Sequence, residues 1–312
     1  MSGFFVGEEI EEKLRHFLSW YYPGRDPSDY NLEDVLAFLD TARLRQRMWG
    51  LDARVQDYAS LYDQLVAFVK ARLSLSGDTR CQYHDRLFRS LNSRDTIITL
   101  NYDLLADQTL ARIEGEDHDT TYPQGTPRLD KLASLIGEPH VIPAVPALMS
   151  DELQSGFYLK LHGSLDWIVC PTPYCSNHRD WYRIGSSNAD GQEEGKMCRR
   201  CGARLELMIV PPIAAKRIDE RERLMPIWRI ALQELAECQT LVVIGIAFNQ
   251  SDHELNWLIR QSNAVTRPYG PLQTVHIVNP SDKPADELLG MLPRSVESRS
   301  WKDLAAYVAE LR

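Results

Sequence analysis

Four cysteines carry the clearest chemical signal in the chain. Cys198 and Cys201 form a Cys-Arg-Arg-Cys step followed by Gly202, and Cys170 and Cys175 flank a proline-rich turn through Pro171 and Pro173. A Cys-x-x-Cys-Gly turn brings two thiolates to one side with backbone amides directed at sulfur, and a second pair completes a tetrahedral set. Four sulfurs with no open coordination position suit a structural zinc ion rather than a catalytic one. Metal binding would then supply the folding free energy of a loop, residues 168–206, that is too polar to fold by burial alone. The plainer alternative is four unligated thiols. His178 could stand in for Cys175, and Cys81 and Cys238 read as small apolar residues.

The second signal is a set of polar groups, each following a short apolar run. The run 157–161 ends on His162 and Gly163, and 96–100 ends on Asn101 and Asp103. The run 241–244 ends on Gly245, with Ser251 and Asp252 beyond it, and 275–278 ends on Asn279. In parallel α/β sheets, ligands bind just outside the carboxyl ends of the strands. Each group also has an ordinary structural reading: helix capping for Asn101 and Asp103, chain reversal for Gly245, a turn for Asn279, a satisfied polar residue for His162. Together they would line one edge of a sheet, where a nucleotide-sized ligand sits.

The elements that must position these groups are legible from periodicity. Ile10, Leu14, Phe17 and Leu18 recur at helical spacing, as do Leu32, Val35, Leu36 and Leu39, and again Leu61, Leu65, Phe68 and Val69. Asn31 with Asp34 three residues on resembles a helix N-cap. A short fourth helix is predicted around Leu87, Phe88 and Leu91. Beyond it, strand-length runs, β-branched at 96–100, 241–245 and 275–279 and apolar and aromatic at 157–161, alternate with helical patterns at 104–113, 228–236 and around Trp257 and Ile259. A closing amphipathic helix is predicted at 301–311. The acidic, then proline-punctuated stretch 115–155 reads as a connection. Strands alternating with helices predict an α/β fold: an open Rossmann-like parallel sheet with helices on both faces, a helical N-terminal region and a small zinc-ribbon insertion.

Composition narrows the function classes. The 312 residues are 44% hydrophobic, enough for a sizeable core, and carry a net charge of -9. That balance gives no broad basic footprint, so no nucleic-acid partner is expected. No apolar run reaches the roughly 18 residues of a transmembrane helix, and the N-terminus turns acidic too early for a signal peptide. A cytoplasmic protein without membrane association is the expectation. Six cysteines without a secretion signal favour thiols or metal ligands over a disulfide framework.

Taken in order, Thr99-Leu-Asn101-Tyr102-Asp103, Leu161-His162-Gly163, the four cysteines, Val243-Ile-Gly245 and Val278-Asn279 resemble the sirtuin-like (silent information regulator 2) family. The likeness is to its divergent bacterial branch, many of whose members hydrolyse NAD rather than deacylate proteins, and it spans residues 31 to 300. The resemblance implies NAD as substrate and structural zinc at Cys170, Cys175, Cys198 and Cys201. It implies that Asn101 orients the nicotinamide ribose and the attacking water, and that Asp103 sits by the carboxamide. His162 would be the general base at the ribose, Gly245 would approach phosphate or ribose, and Asn279 would meet the adenosine ribose. The chemistry is consistent with these roles. Breaking the ribose–nicotinamide bond passes through an oxocarbenium-like centre, as in glycoside cleavage, and histidine titrates in the range a proton acceptor needs.

The chain departs from that pattern in three places. The family opens with a strand and a Gly-Ala-Gly loop that cradles pyrophosphate at a helix N-terminus. Here the early glycines are only Gly3, Gly7 and Gly24, with no strand before them. The expectation is one sirtuin-like domain over 1–312 that begins after the first βα unit, through a misplaced start codon or through loss of the loop. Leu100 stands where protein deacylases carry glutamine, which leans towards hydrolysis, and Ile246-Ala247 replaces a small polar pair. Three functions follow from the resemblance. The first is an NAD hydrolase releasing nicotinamide and ADP-ribose, in the setting of bacterial antiphage defence by family analogy. The second is an NAD-dependent deacylase. The third is a non-catalytic sirtuin-like interaction module, with a protein partner or a homo-oligomer.

Overall fold

The computed structural model describes residues 11–50, 57–73, 80–92, 95–116, 157–172, 174–176, 181–183, 197–210, 224–248, 253–264 and 271–311. His178, Ser251, Asp252 and most of the stretch 115–155 lie outside them. The chain divides into two compact units: Met1–Ser74 with Val210–Lys216, and Leu75–Ile209 with Arg217–Arg312.

The first unit is helical among its described residues: α1 (Glu12–Tyr21), a 3-10 turn at Pro27–Asp29, α2 (Leu32–Trp49) and α3 (Tyr58–Leu73). Each helix buries the apolar stripe its periodicity marks, Leu14, Phe17 and Leu18 on α1, Leu32, Val35, Leu36 and Leu39 on α2, and Leu61, Leu65 and Val69 on α3. A buried pair links two of these helices by charge and ring. Arg43 donates to Asp40 Oδ1 at 2.7 Å while its guanidinium lies 3.9 Å from the Tyr62 ring centroid.

The second unit holds the strands and the cysteines, and its α/β character is plain. In chain order come α4 (Gln82–Arg89), β1 (Ile97–Thr99), α5 (Leu105–Glu116), β2 (Tyr158–Lys160), β3 (Gly163–Val169), β4 (Trp181–Arg183) and β5 (Glu206–Ile209). They are followed by α6 (Met225–Glu237), β6 (Thr240–Ile244), α7 (His253–Ala264), β7 (Thr274–Val278), α8 (Lys283–Leu289), β8 (Glu297–Trp301) and α9 (Leu304–Glu310). Parallel strands pair as β1-β2 and as β6-β7-β8, and an antiparallel sheet β4-β3-β5 leads into the cysteine insertion. The β6-β7-β8 sheet packs Val243, Val275 and Ile277 against Phe248, Leu255, Ile259, Leu288 and Met291. Leu100, just past β1, packs against the same cluster.

Four strands lie beyond the predicted runs: β3, β4, β5 and β8. β3 follows a turn at Leu161 and His162, and all seven of its residues are buried, including Ser164 and Asp166, whose side chains bond each other at 2.5 Å. β8 occupies residues that alternate poorly, and its first four are exposed. Backbone pairing with β7 makes it a strand, so the closing helix begins at Leu304 rather than at 301. No helix among the described residues is long and apolar enough to cross a membrane.

Candidate functional site

The turn after β1 and the turn between β2 and β3 meet through named hydrogen bonds. His162, only 5% exposed, places Nδ1 3.0 Å from the Leu100 carbonyl oxygen. A carbonyl only accepts, so Nδ1 carries the proton and Nε2 is the basic nitrogen of the neutral ring. The Leu165 N–H donates to Tyr102 O at 2.9 Å, and Lys160 Nζ donates to Asp103 O at 2.6 Å. Trp228 of α6 donates its indole N–H to Leu161 O at 2.9 Å, and its ring lies 6.4 Å from the His162 ring. His162 and the turn 101–103 are therefore one assembly, although sixty residues separate them in sequence.

Within that assembly Asn101 is exposed, and its N–H is bonded to Thr99 Oγ1 at 3.1 Å. Asp103 Oδ1 accepts the Leu105 N–H at 3.0 Å, the capping role open to it from sequence, which satisfies a donor that has no partner within α5. Nearby His84 of α4 has a buried Nδ1 without a hydrogen-bond partner among the described residues. Burial lowers its pKa against the opposing pull of Asp103 and Asp85.

Gly245 and Asn279 gather at a second place, a cavity of about 520 Å³ at the carboxyl ends of β6 and β7, whose lining includes Phe248, Ser281 and Lys283. Gly245 has φ +67°, the left-handed region that disfavours other residues, and its N–H donates to Val278 O at 2.9 Å. Asn279 Nδ2 donates to Ile246 O at 3.0 Å and its Oδ1 accepts the Ser281 N–H at 3.2 Å. The asparagine thus braces the two strand ends, with one amide N–H and one lone pair left for a ligand. Asn101, Asp103 and His162 are not among the residues lining this cavity. A further cavity of about 520 Å³ lies in the helical unit between Tyr21, Asp34, Phe38, Arg45, Trp49 and Tyr58, and contains none of the candidate catalytic, cofactor or metal residues.

The four cysteines converge. Their sulfurs all lie within 4.8 Å of one another, with Cys170–Cys201 at 3.5 Å and Cys175–Cys198 at 3.8 Å. Thiolates about 2.3 Å from a common ion in tetrahedral geometry stand about 3.8 Å apart, whereas a disulfide needs about 2.05 Å. The residues present fit a tetrahedral metal ion, and all four are free thiols. The knuckle itself is local: Gly202, at φ +71°, lets its N–H reach Cys198 O at 2.8 Å, while the Cys198 N–H reaches Ala203 O at 2.7 Å. Burial pushes the Cys170 thiol up to about 12, and hydrogen bonding with the Thr172 hydroxyl and the Ala203 backbone pulls exposed Cys201 down to about 6.

No family model and no curated protein matches the chain. Among solved structures it is similar to a crystal structure of Sir2 in complex with the inhibitor EX-527, 2′-O-acetyl-ADP-ribose and deacetylated p53 peptide. That likeness covers 82% of this chain and 80% of the other at 14% identity, with a TM-score of 0.41. A likeness at this level carries no residue-level role.

One group at the site was not legible from sequence. Lys160 lies in the middle of an apolar run and is fully buried, with Nζ 2.8 Å from Asp107 Oδ2; the Tyr158 hydroxyl donates to the same oxygen at 2.9 Å. The available signal was a charged residue inside a strand-length hydrophobic run, where lysine is almost never found unless paired.

Proposed function

We propose that this protein hydrolyses NAD to nicotinamide and ADP-ribose, with His162 as general base and with zinc in the four-cysteine module as a structural ion. The observation that carries the reading is the His162 ring held by the carbonyl of Leu100, the residue that precedes the exposed Asn101 in the chain. It gives a nearly enclosed histidine one defined basic nitrogen, anchored to the residue that precedes Asn101, whose amide both donates and accepts. Motif resemblance supplies the substrate, and the cavity at Gly245 and Asn279 offers nucleotide-sized room at a strand-end position.

In this mechanism the bond from ribose C1′ to the nicotinamide ring nitrogen breaks, and its electron pair leaves with nicotinamide, which departs neutral. Positive charge spreads over C1′ and the ring oxygen. A water, oriented by the Asn101 amide, attacks C1′ and gives its proton to His162 Nε2. The sum is NAD plus water to nicotinamide, ADP-ribose and a proton. Asp103 holds the turn through Leu105 and keeps its second carboxylate oxygen for the carboxamide. Leu100 is packed into the apolar cluster, so the position that carries glutamine in deacylases offers no polar group here. Zinc, when bound, supplies no chemistry to this step and staples the insertion.

Purified protein should release nicotinamide from NAD without any peptide. His162→Ala should lower that rate by roughly 10²–10⁴-fold, the usual share of a positioned acid–base group, and Asn101→Ala should abolish turnover. Undiminished rates in both variants would remove these assignments, and strict dependence on an acyl-lysine peptide would replace hydrolysis with deacylation. For the defence setting, expressing cells should restrict phage and lose that restriction with His162→Ala.

A further inference from the structure

Lys160 is 0% exposed, and both hydrogen bonds of its ammonium go to the turn after β1 or to the helix that follows it: Asp103 O at 2.6 Å and Asp107 Oδ2 at 2.8 Å, with the Tyr158 ring centroid 6.0 Å away. Burying an ammonium is costly even when it is paired, and replacing a buried ion pair with well-packed apolar residues is commonly neutral or stabilising. Stability therefore does not account for a lysine here. What an apolar side chain could not do is hold a main-chain carbonyl.

Three of the four consecutive carbonyls from 100 to 103 are held by the segment 160–165. Leu100 O is bonded to His162 Nδ1, Tyr102 O to the Leu165 N–H, and Asp103 O to Lys160 Nζ. The first two anchors come from the histidine and from the backbone of β3. The third comes from a side chain that is itself fixed by Asp107, which also accepts from Tyr158. Because Asp107 lies on α5, the ammonium clamps the turn to the helix that leaves it.

We propose that Lys160 is a positioning residue, whose clamp on the Asp103 carbonyl and Asp107 sets the direction of the turn 101–103 and hence the placement of Asn101 against His162. The inference rests on the hydrolase reading for its catalytic consequence, but the clamp itself is independent of any ligand.

The test compares the full-length protein with the triple variant Lys160→Met, Asp107→Leu, Tyr158→Phe, which removes the cluster's polar side-chain groups without leaving a buried charge unpaired. Hydrogen–deuterium exchange of peptides spanning 100–106 and 160–166 reads the turn, thermal melting reads the fold, and nicotinamide release reads kcat and KM separately. The expected result is a Tm within a few degrees of wild type, exchange at least about tenfold faster in 101–105, and kcat lowered at least about tenfold with KM changed less than kcat. Unchanged exchange in 101–105 would overturn the proposal whether or not NAD is cleaved, and so would faster exchange with an unchanged kcat. If the triple variant does not fold, Lys160→Met alone takes its place, with exchange of the distant peptide 274–278 as the control for global loosening. A wild-type protein that releases no nicotinamide defeats the hydrolase reading, and the exchange comparison still decides the clamp.

Discussion

Gly163→Ala tests the geometry beside His162 at a single atom. Gly163 has φ +78°, and a Cβ there would lie 1.9 Å from Met208 O, 2.8 Å from Met208 C and 3.3 Å from Ile209 Cα. All three are backbone atoms of β5, paired in register with Gly163, so no side chain can swing aside. Left-handed strain costs an alanine about 1–2 kcal/mol, and forcing a methyl group into a filled space costs about 1–3 kcal/mol more. The sum, about 2–5 kcal/mol, is a large share of ordinary domain stability. Gly245 provides the control, because its φ is +67° but nothing lies within 4 Å of a Cβ. Gly245→Ala should therefore lose only the strain, about 1–2 kcal/mol. Urea midpoints and thermal melts of the two variants isolate the steric part. For a domain of this size about 1 kcal/mol corresponds to about 2–4 °C, so Gly163→Ala should melt below Gly245→Ala by several degrees. It should also lose nicotinamide release beyond what its unfolded fraction explains, because the step from β2 to β3 carries His162. Equal destabilisation by the two alanines would refute the close-approach argument.

Metal analysis of the purified protein should find about one equivalent of zinc, lost on Cys198→Ser together with protection of the insertion from protease; less than about half an equivalent defeats the four-cysteine site. His84 should make the protein acid-sensitive. Its folded pKa is lowered by burial, so the unfolded chain binds more protons, and the stability it confers is complete above the unfolded value near 6.5 and falls as pH drops towards the folded value. His84→Phe should therefore flatten the fall in urea midpoint between about pH 7.5 and 5.5, and an unchanged slope would show that His84 does not carry it.

Much of this molecule was legible along the chain because the signals are local. Helical spacing depends on neighbours three and four residues apart, so α1, α2 and α3 bury the stripes read from Leu14 to Val69. The apolar runs before Asn101, His162, Gly245 and Asn279 became strands, because β-branched and apolar residues suit the pleated surface of parallel ladders. The cysteine knuckle was legible for the same reason, since a Cys-x-x-Cys-Gly turn closes on itself. β8 was not, because Glu297–Trp301 is held by pairing with β7 rather than by its own pattern.

Proximity was beyond what local patterns can specify. From sequence, His162 and Asn101 are polar residues at two strand ends; the parallel register Thr99↔Lys160 is what sets Leu100 O against the histidine ring. The same register buries Lys160 beneath the turn, where a one-dimensional reading sees only a charge within an apolar run. Tertiary structure also separated what the sequence grouped: Gly245 and Asn279 line a cavity whose walls do not include His162. Residue types and spacing determined which groups could do chemistry and which short elements carry them. Which groups share a site was decided by strand register and by the desolvation of buried charges, because both depend on contacts between segments far apart in the chain.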